Sequence, residues 1–190
     1  MKLLNIFLCA SMLLSTSILA QESQSKDPDP VFVFNTICYS KIPNVTAIED
    51  LAAQMAWRAL SGDVLEDMKS VDAPEIELAW DASIGERVFR VSVNQAPVQP
   101  AMLNSFPDFE GGKATYCSVL VDSIYDPDLI LTNMQTLAGK DPLSAGVTEG
   151  ALETTTWAGG NDDLKVFLFA KVNRGEGGGL LHVTLLQKAE

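Results

Sequence analysis

The sequence predicts an α+β fold of two layers. Antiparallel sheet is expected with helices on one face, and a helix-plus-three-strand unit is expected to occur twice after a leading strand. Three observations predict this. The order Trp80, Val88-Phe89, Val93-Asn94, Glu110-Gly111-Gly112, Ser118-Val119-Leu120 returns as Trp157, Val166-Phe167, Val172-Asn173, Glu176-Gly177-Gly178, Thr184-Leu185-Leu186. Short alternating apolar runs sit on either side of Gly- and Asp-rich turns, as hairpins require. Helical stretches are too few to flank every strand of a parallel sheet, which excludes a doubly wound fold.

The elements follow in order. Residues 21–30, QESQSKDPDP, are polar with two prolines and read as a flexible leader. The run from Val31 to Tyr39 is rich in β-branched and aromatic residues and reads as the leading strand. Asn44 is an N-cap for a helix from Val45 to Leu60, with Ile48, Leu51, Ala52 and Met55 on one face. A second short helix is expected over 63–69. Glu75 to Trp80 alternates, Asp81 to Gly85 turns, and Arg87 to Asn94 returns with Phe89, Val91 and Val93 inward. Residues 95–109 are a Pro-containing insertion without a counterpart in the second copy, and a strand covers Ala114 to Val121. Residues 31–122 thus form the first half.

The second half, 123–190, packs with the first as one globular domain. Asp126 caps and Pro127 starts a helix that Gly139 ends. Residues 140–149 read as a loop. Strands follow over Ala151–Trp157, Leu164–Asn173 and Leu180–Gln187. The middle one shows little alternation, as for a strand buried on both faces. This layout resembles, in architecture alone, the tandem helix-plus-three-strand units of small exported inhibitor and envelope-assembly proteins. No sequence motif carries the likeness further.

Residues 1–20 have the form of a secretory signal peptide: Met1-Lys2, an apolar stretch to Leu19, and a small residue at Ala20 before a polar segment. Cleavage discards Cys9 and leaves Cys38 and Cys117. Two cysteines in an oxidising compartment, with no CxxC and no His cluster, read as one structural disulfide. No later stretch is apolar for long enough to span a bilayer. Asn44-Val45-Thr46 has the form of a glycosylation site, but the compact signal looks bacterial, and Asn44 is read as a cap.

The chain has 190 residues and a formal charge of -12 at pH 7. Coulomb repulsion from phosphates excludes a nucleic-acid-binding role and disfavours anionic headgroups. One histidine, His182, removes most imidazole chemistry. Asp162 and Asp163 after Asn161 carry carboxylates of the kind Ca²⁺ prefers, but the DxDxDG spacing is missing and the composition is that of a turn. Walker, GxGxxG, GxSxG and HExxH patterns are absent. Arg174-Gly175-Glu176-Gly177-Gly178-Gly179 precedes a strand rather than a helix, so it is not a phosphate loop. No cofactor and no metal are expected, and no catalytic residue is assigned.

If helices cover one sheet face, the other carries Glu75, Glu77, Arg90, Ser92, Thr154, Thr156 and His182, with Thr184 beside it. That mixed polar face is the candidate interaction surface. The function expected is a small, non-catalytic binding or interaction protein of the bacterial periplasm or medium, engaging an envelope or extracellular protein or ligand. Two alternatives stand beside it: a hydrolase-like enzyme using His182 with carboxylates, and a structural envelope protein.

Overall fold

The computed structural model describes residues 27–61 and 76–189. The segment expected to be a signal peptide, the short helix expected over 63–69 and Glu75 therefore lie outside the described residues. What is described is an α+β protein dominated by one antiparallel sheet of eight strands. The strands are β1 (Arg58–Ala59), β2 (Ile76–Ile84), β3 (Arg87–Pro97), β4 (Lys113–Val121), β5 (Ser144–Glu149), β6 (Leu152–Gly160), β7 (Leu164–Asn173) and β8 (Gly179–Gln187). They lie in the order β1-β2-β3-β4-β8-β7-β6-β5. Each half is a meander, and the two meet where β4 pairs with β8.

The leading strand is a correction. Pro30–Phe34 is an α-helix (α1), and Asn35–Tyr39 continues it in π-helical geometry. Asp29 caps it by accepting from the Val31 amide at 2.9 Å, and Pro30 occupies the first turn. Val31, Phe34, Ile37 and Cys38 then recur at helical spacing and are buried. Burial of that stripe overrides the modest strand preference of β-branched residues. The end of the leader is also held in place. Asp27 pairs with Arg87, and the Pro28 carbonyl accepts from the Tyr125 hydroxyl at 3.0 Å.

The next helix, α2, covers Val45–Gln54 and is shorter than the spacing predicts. Ala56 adopts a left-handed conformation with φ 52°. The Trp57 amide donates to the Ala52 carbonyl and the Ala56 amide to that of Ala53, which is the Schellman closure of a helix end. No glycine announces it. The chain then leaves as β1, which pairs Arg58 with Asp81 and Ala59 with Trp80. Ala56→Gly is expected to raise stability by about 0.5–1 kcal/mol, because glycine takes this conformation without the Cβ penalty. A shift of the urea midpoint to higher concentration at unchanged slope checks it; a lower midpoint would contradict it.

Helix α4 spans Pro127–Ala138 with Asp126 as cap and left-handed Gly139 as its end, as the sequence predicts. Three other segments differ. Asp81–Ile84 are not turn but the end of β2, paired with Arg87–Arg90 of β3, so the hairpin turns only at Gly85 and Glu86. Residues 144–149 are not loop but the edge strand β5, exposed throughout and irregular in register between Ser144 and Val147. Its alternation is too weak to read because neither face is buried. Strand β7 alternates after all: Leu168, Ala170 and Val172 are buried, while Phe167, Phe169 and Lys171 are half-buried.

One core joins Phe34, Ile37, Ile48, Ile130 and Met134 of the helical segments to Trp80, Phe89, Val91, Cys117, Trp157, Leu168 and Val183 of the sheet. Cys38 and Cys117 are disulfide-bonded within it, with Cα atoms 5.4 Å apart. Trp80 and Trp157 are both buried, at 8 % and 2 % exposure. The insertion has its own smaller core. Helix α3 (Pro100–Leu103) and a 3₁₀ turn at Pro107–Phe109 bring Met102, Phe106 and Phe109 onto Tyr116, Phe167 and Leu186.

Candidate functional site

Register assigns every sheet residue to a face, because opposed residues in an antiparallel pair point the same way. Val93, Cys117 and Val183 point into the main core. The residues between them in sequence make up the second face, which is organised in rows across the strands.

Nearest the insertion lies the row Asn94, Tyr116, Thr184, Phe167. Phe106 of the insertion packs at a tilt against Phe167, with ring centroids 5.4 Å apart. The Tyr116 hydroxyl meets the Met102 sulfur at 3.7 Å. This end of the face is therefore covered.

The middle row is Ala79, Ser92, Ser118, His182, Phe169, Thr156. His182 sits between the rings of Tyr116 and Phe169, at 6.0 and 5.4 Å. Its Nδ1 lies 2.7 Å from the Ser118 hydroxyl and its Nε2 2.8 Å from that of Thr184. Both ring nitrogens are thus satisfied by hydroxyls. Burial pushes the imidazole down to about 4, so it is neutral near pH 7.

A pH dependence follows. An unfolded His titrates near 6.5. Between about 6.5 and 4 the unfolded chain binds a proton that native His182 refuses, so stability falls as the pH is lowered through that window. The share lost between roughly pH 7.5 and pH 4.5 is about 2–3 kcal/mol. Denaturant titrations at the two pH values should show that His182→Gln removes this share. An equal pH dependence in the variant would sink the assignment.

The third row crosses all eight strands: Arg58, Asp81, Arg90, Leu120, Leu180, Lys171, Thr154, Val147. It lies at the end away from the insertion. Asp81 is buried and held by Arg58 on one side and by Arg90 at 3.2 Å on the other. Burial works against its charge, but the hydrogen bonds from the two guanidinium groups outweigh that and keep its carboxyl below the usual range. Two cations on one anion leave this end of the row positive. Lys171 has no ion pair among the described residues. Between the cations Leu120 is exposed at 48 %, and Val88 beyond it at 58 %.

A cleft of about 580 Å³ opens over this row, lined by Asp81, Val88, Arg90, Leu120, Leu152, Lys171, Asn173 and Leu180. Its far wall is Val121–Ser123 with Gly177 and Gly179 of the glycine-rich turn.

Of the sequence-predicted face residues, Glu77, Arg90, Ser92, Thr154, Thr156 and His182 do share one face. They divide between rows, however. Ser92 and His182 belong to the packed middle, whereas Arg90 and Thr154 lie in the open row. Lys171 and Leu120 were missed: Lys171 lies in a strand whose sequence shows little alternation, and Leu120 meets Leu180 only through the pairing of β4 with β8. The alternating pattern of β4 would have placed Leu120 on this face. The Asn161 side chain accepts from the Asp163 and Leu164 amides at 2.9 and 3.0 Å, which closes the turn itself. Among the described residues no group of three or more His, Cys, Asp and Glu is arranged to hold a metal ion, and no helix is long and apolar enough to cross a membrane.

No family model, curated protein or solved structure matches this chain.

Proposed function

We propose that the protein is an exported, non-catalytic binding protein of the periplasm or extracellular medium, and that it binds through the open end of its second sheet face. The observation that carries this reading is the third row, where exposed leucine lies between cations above an otherwise packed sheet. Pockets of this size take up small ligands. The disulfide is compatible with an oxidising compartment. His182 supports binding over hydrolysis: an imidazole held at about 4 is a weak general base near neutral pH, and hydroxyls, not a carboxylate, meet both its nitrogens.

Native mass spectrometry of the protein isolated from cells that make it tests the reading. A retained mass is expected on the wild type and not on Leu120→Asp, with the same far-ultraviolet circular dichroism for the two. A bare chain in both cases would overturn it.

We also infer that the two halves are duplicates, with α1, α2 and α4 on one face of the sheet and only the α3 insertion on the other. Trp80 opposes Val91 and Trp157 opposes Leu168, so a shift of 77 residues carries one hairpin onto the other. The same shift carries the turn Ile84–Arg87 onto Asn161–Leu164. It does not carry Val88-Phe89 onto Val166-Phe167. That match is off by one, since Phe89 opposes Ala82 in the core and Phe167 opposes Thr184 on the second face. Homologous chains whose halves align best at another shift would count against duplication.

A further inference from the structure

Resting on that reading of the cleft, we infer the class of ligand: a small amphipathic anion, with one carboxylate head and an apolar body. The charge pattern selects the head. The chain carries a net charge of -12, yet the cleft lining sets Arg90 and Lys171 against Asp81 on the floor and Asp122 on the far wall, and Arg58 adds a further cation to the same row outside the cleft. Asp81 is already engaged by two arginines. Lys171, half-buried and lining the cleft without an ion pair among the described residues, is the cation left to meet an incoming anion. A half-buried ammonium gains more from a carboxylate than an exposed one does, because less water screens the pair.

The floor selects the body. Leu120 and Leu180 oppose one another between Arg90 and Lys171, with Val88 and Leu152 at the margins. Three strand spacings separate the two cations, about 14 Å between Cα atoms. An acyl or aryl body fits along that apolar strip and covers the exposed Leu120 face, which contributes about 25 cal/mol for each Å² removed from water. Asp122 at the far wall repels a second negative group, which favours a ligand with one head over a polyanion. The cleft volume suits a small molecule rather than a protein surface. The overall negative charge keeps the cleft away from an anionic bilayer, so a free acid is the occupant and not a lipid headgroup.

Calorimetric titration of the full mature protein distinguishes these. The probes are decanoate, decanol, decyltrimethylammonium and vesicles of phosphatidylglycerol, against wild type, Lys171→Met and Leu120→Ser. Decanoate is expected to bind at least about tenfold more tightly than decanol, and Lys171→Met to weaken decanoate about tenfold while leaving decanol unchanged, as loss of one charge-assisted contact implies. Leu120→Ser should weaken both. Circular dichroism of each variant establishes that it is folded. Equal binding of decanoate and decyltrimethylammonium, or an unaltered decanoate affinity in Lys171→Met, overturns the inference. So does binding to vesicles without binding to the free acid. If decanoate does not bind but native mass spectrometry shows a mass that Leu120→Asp loses, the ligand class is wrong and the binding cleft stands. If neither is seen, both fall.

Discussion

Replacing Cys38 and Cys117 together by alanine is expected to cost about 4.5 kcal/mol. The bond joins residues separated by 79 positions. In the chain-entropy description, closing a loop of that length restricts the unfolded ensemble by this amount. Typical domains have only about 5–15 kcal/mol of net stability. The variant should therefore be folded but marginal, or unfolded near body temperature. The location adds to the effect. Both residues are fully buried, and the bond ties the π-helical segment Asn35–Tyr39 to β4, which pairs with β8 at the middle of the sheet. Guanidinium unfolding of wild type and variant gives the difference directly. A change below about 1 kcal/mol, or alkylatable thiols at Cys38 and Cys117 in the wild type, would show that the bond does not contribute in this way.

The cysteine pairing was legible because only two cysteines remain once the first twenty residues are set aside. What they join was not. The stretch from Val31 to Tyr39 has the composition of a strand, and only the Asp29-Pro30 start and the spacing of Val31, Phe34, Ile37 and Cys38 favour a helix. Composition points to a strand, whereas burial decides in the folded chain. The end of α2 was missed for a related reason: Ala56 does the work usually left to glycine, so no residue type marks the stop. Helix α4 was legible because Asp126, Pro127 and Gly139 each state their position through local chemistry.

The face on which residues lie was legible from period-two alternation, and Arg90, Thr154 and His182 were placed together on that ground. Which rows they share was not. A row gathers one residue from each strand, and its membership depends on register, which one inserted residue reverses. The Val-Phe match shows this: a shift of one residue sends one phenylalanine to the core and its apparent counterpart to the other face. Lys171 and Arg90 lie far apart in sequence, and only the pairing of β4 with β8 brings them to opposite sides of Leu120 and Leu180.

Gly178→Ala, between the two glycines that line the cleft, is expected to lose about 2–5 kcal/mol. Gly178 has φ 70°, a conformation that costs an L-residue about 1–2 kcal/mol. A Cβ there would also sit 2.4 Å from the Asp122 carbonyl oxygen and 2.5 Å from that of Val121. Those atoms are backbone and cannot swing aside, so overpacking adds about 1–3 kcal/mol. The Gly178 amide donates to the Tyr125 carbonyl at 2.9 Å, and its carbonyl accepts from the Asn173 amide at 3.1 Å. Relief of the clash therefore loosens the bond that holds the glycine turn to the β4–α4 connection. Gly175→Ala is the control. It lies in the same turn, and a Cβ there meets nothing closer than 3.4 Å, so its stability should change by less than about 0.5 kcal/mol. Equal losses in the two variants would show that the glycines serve chain flexibility rather than close approach. The expected inequality would instead show that the run Gly177–Gly179 exists to let two backbones meet, and that this contact forms the far wall of the cleft.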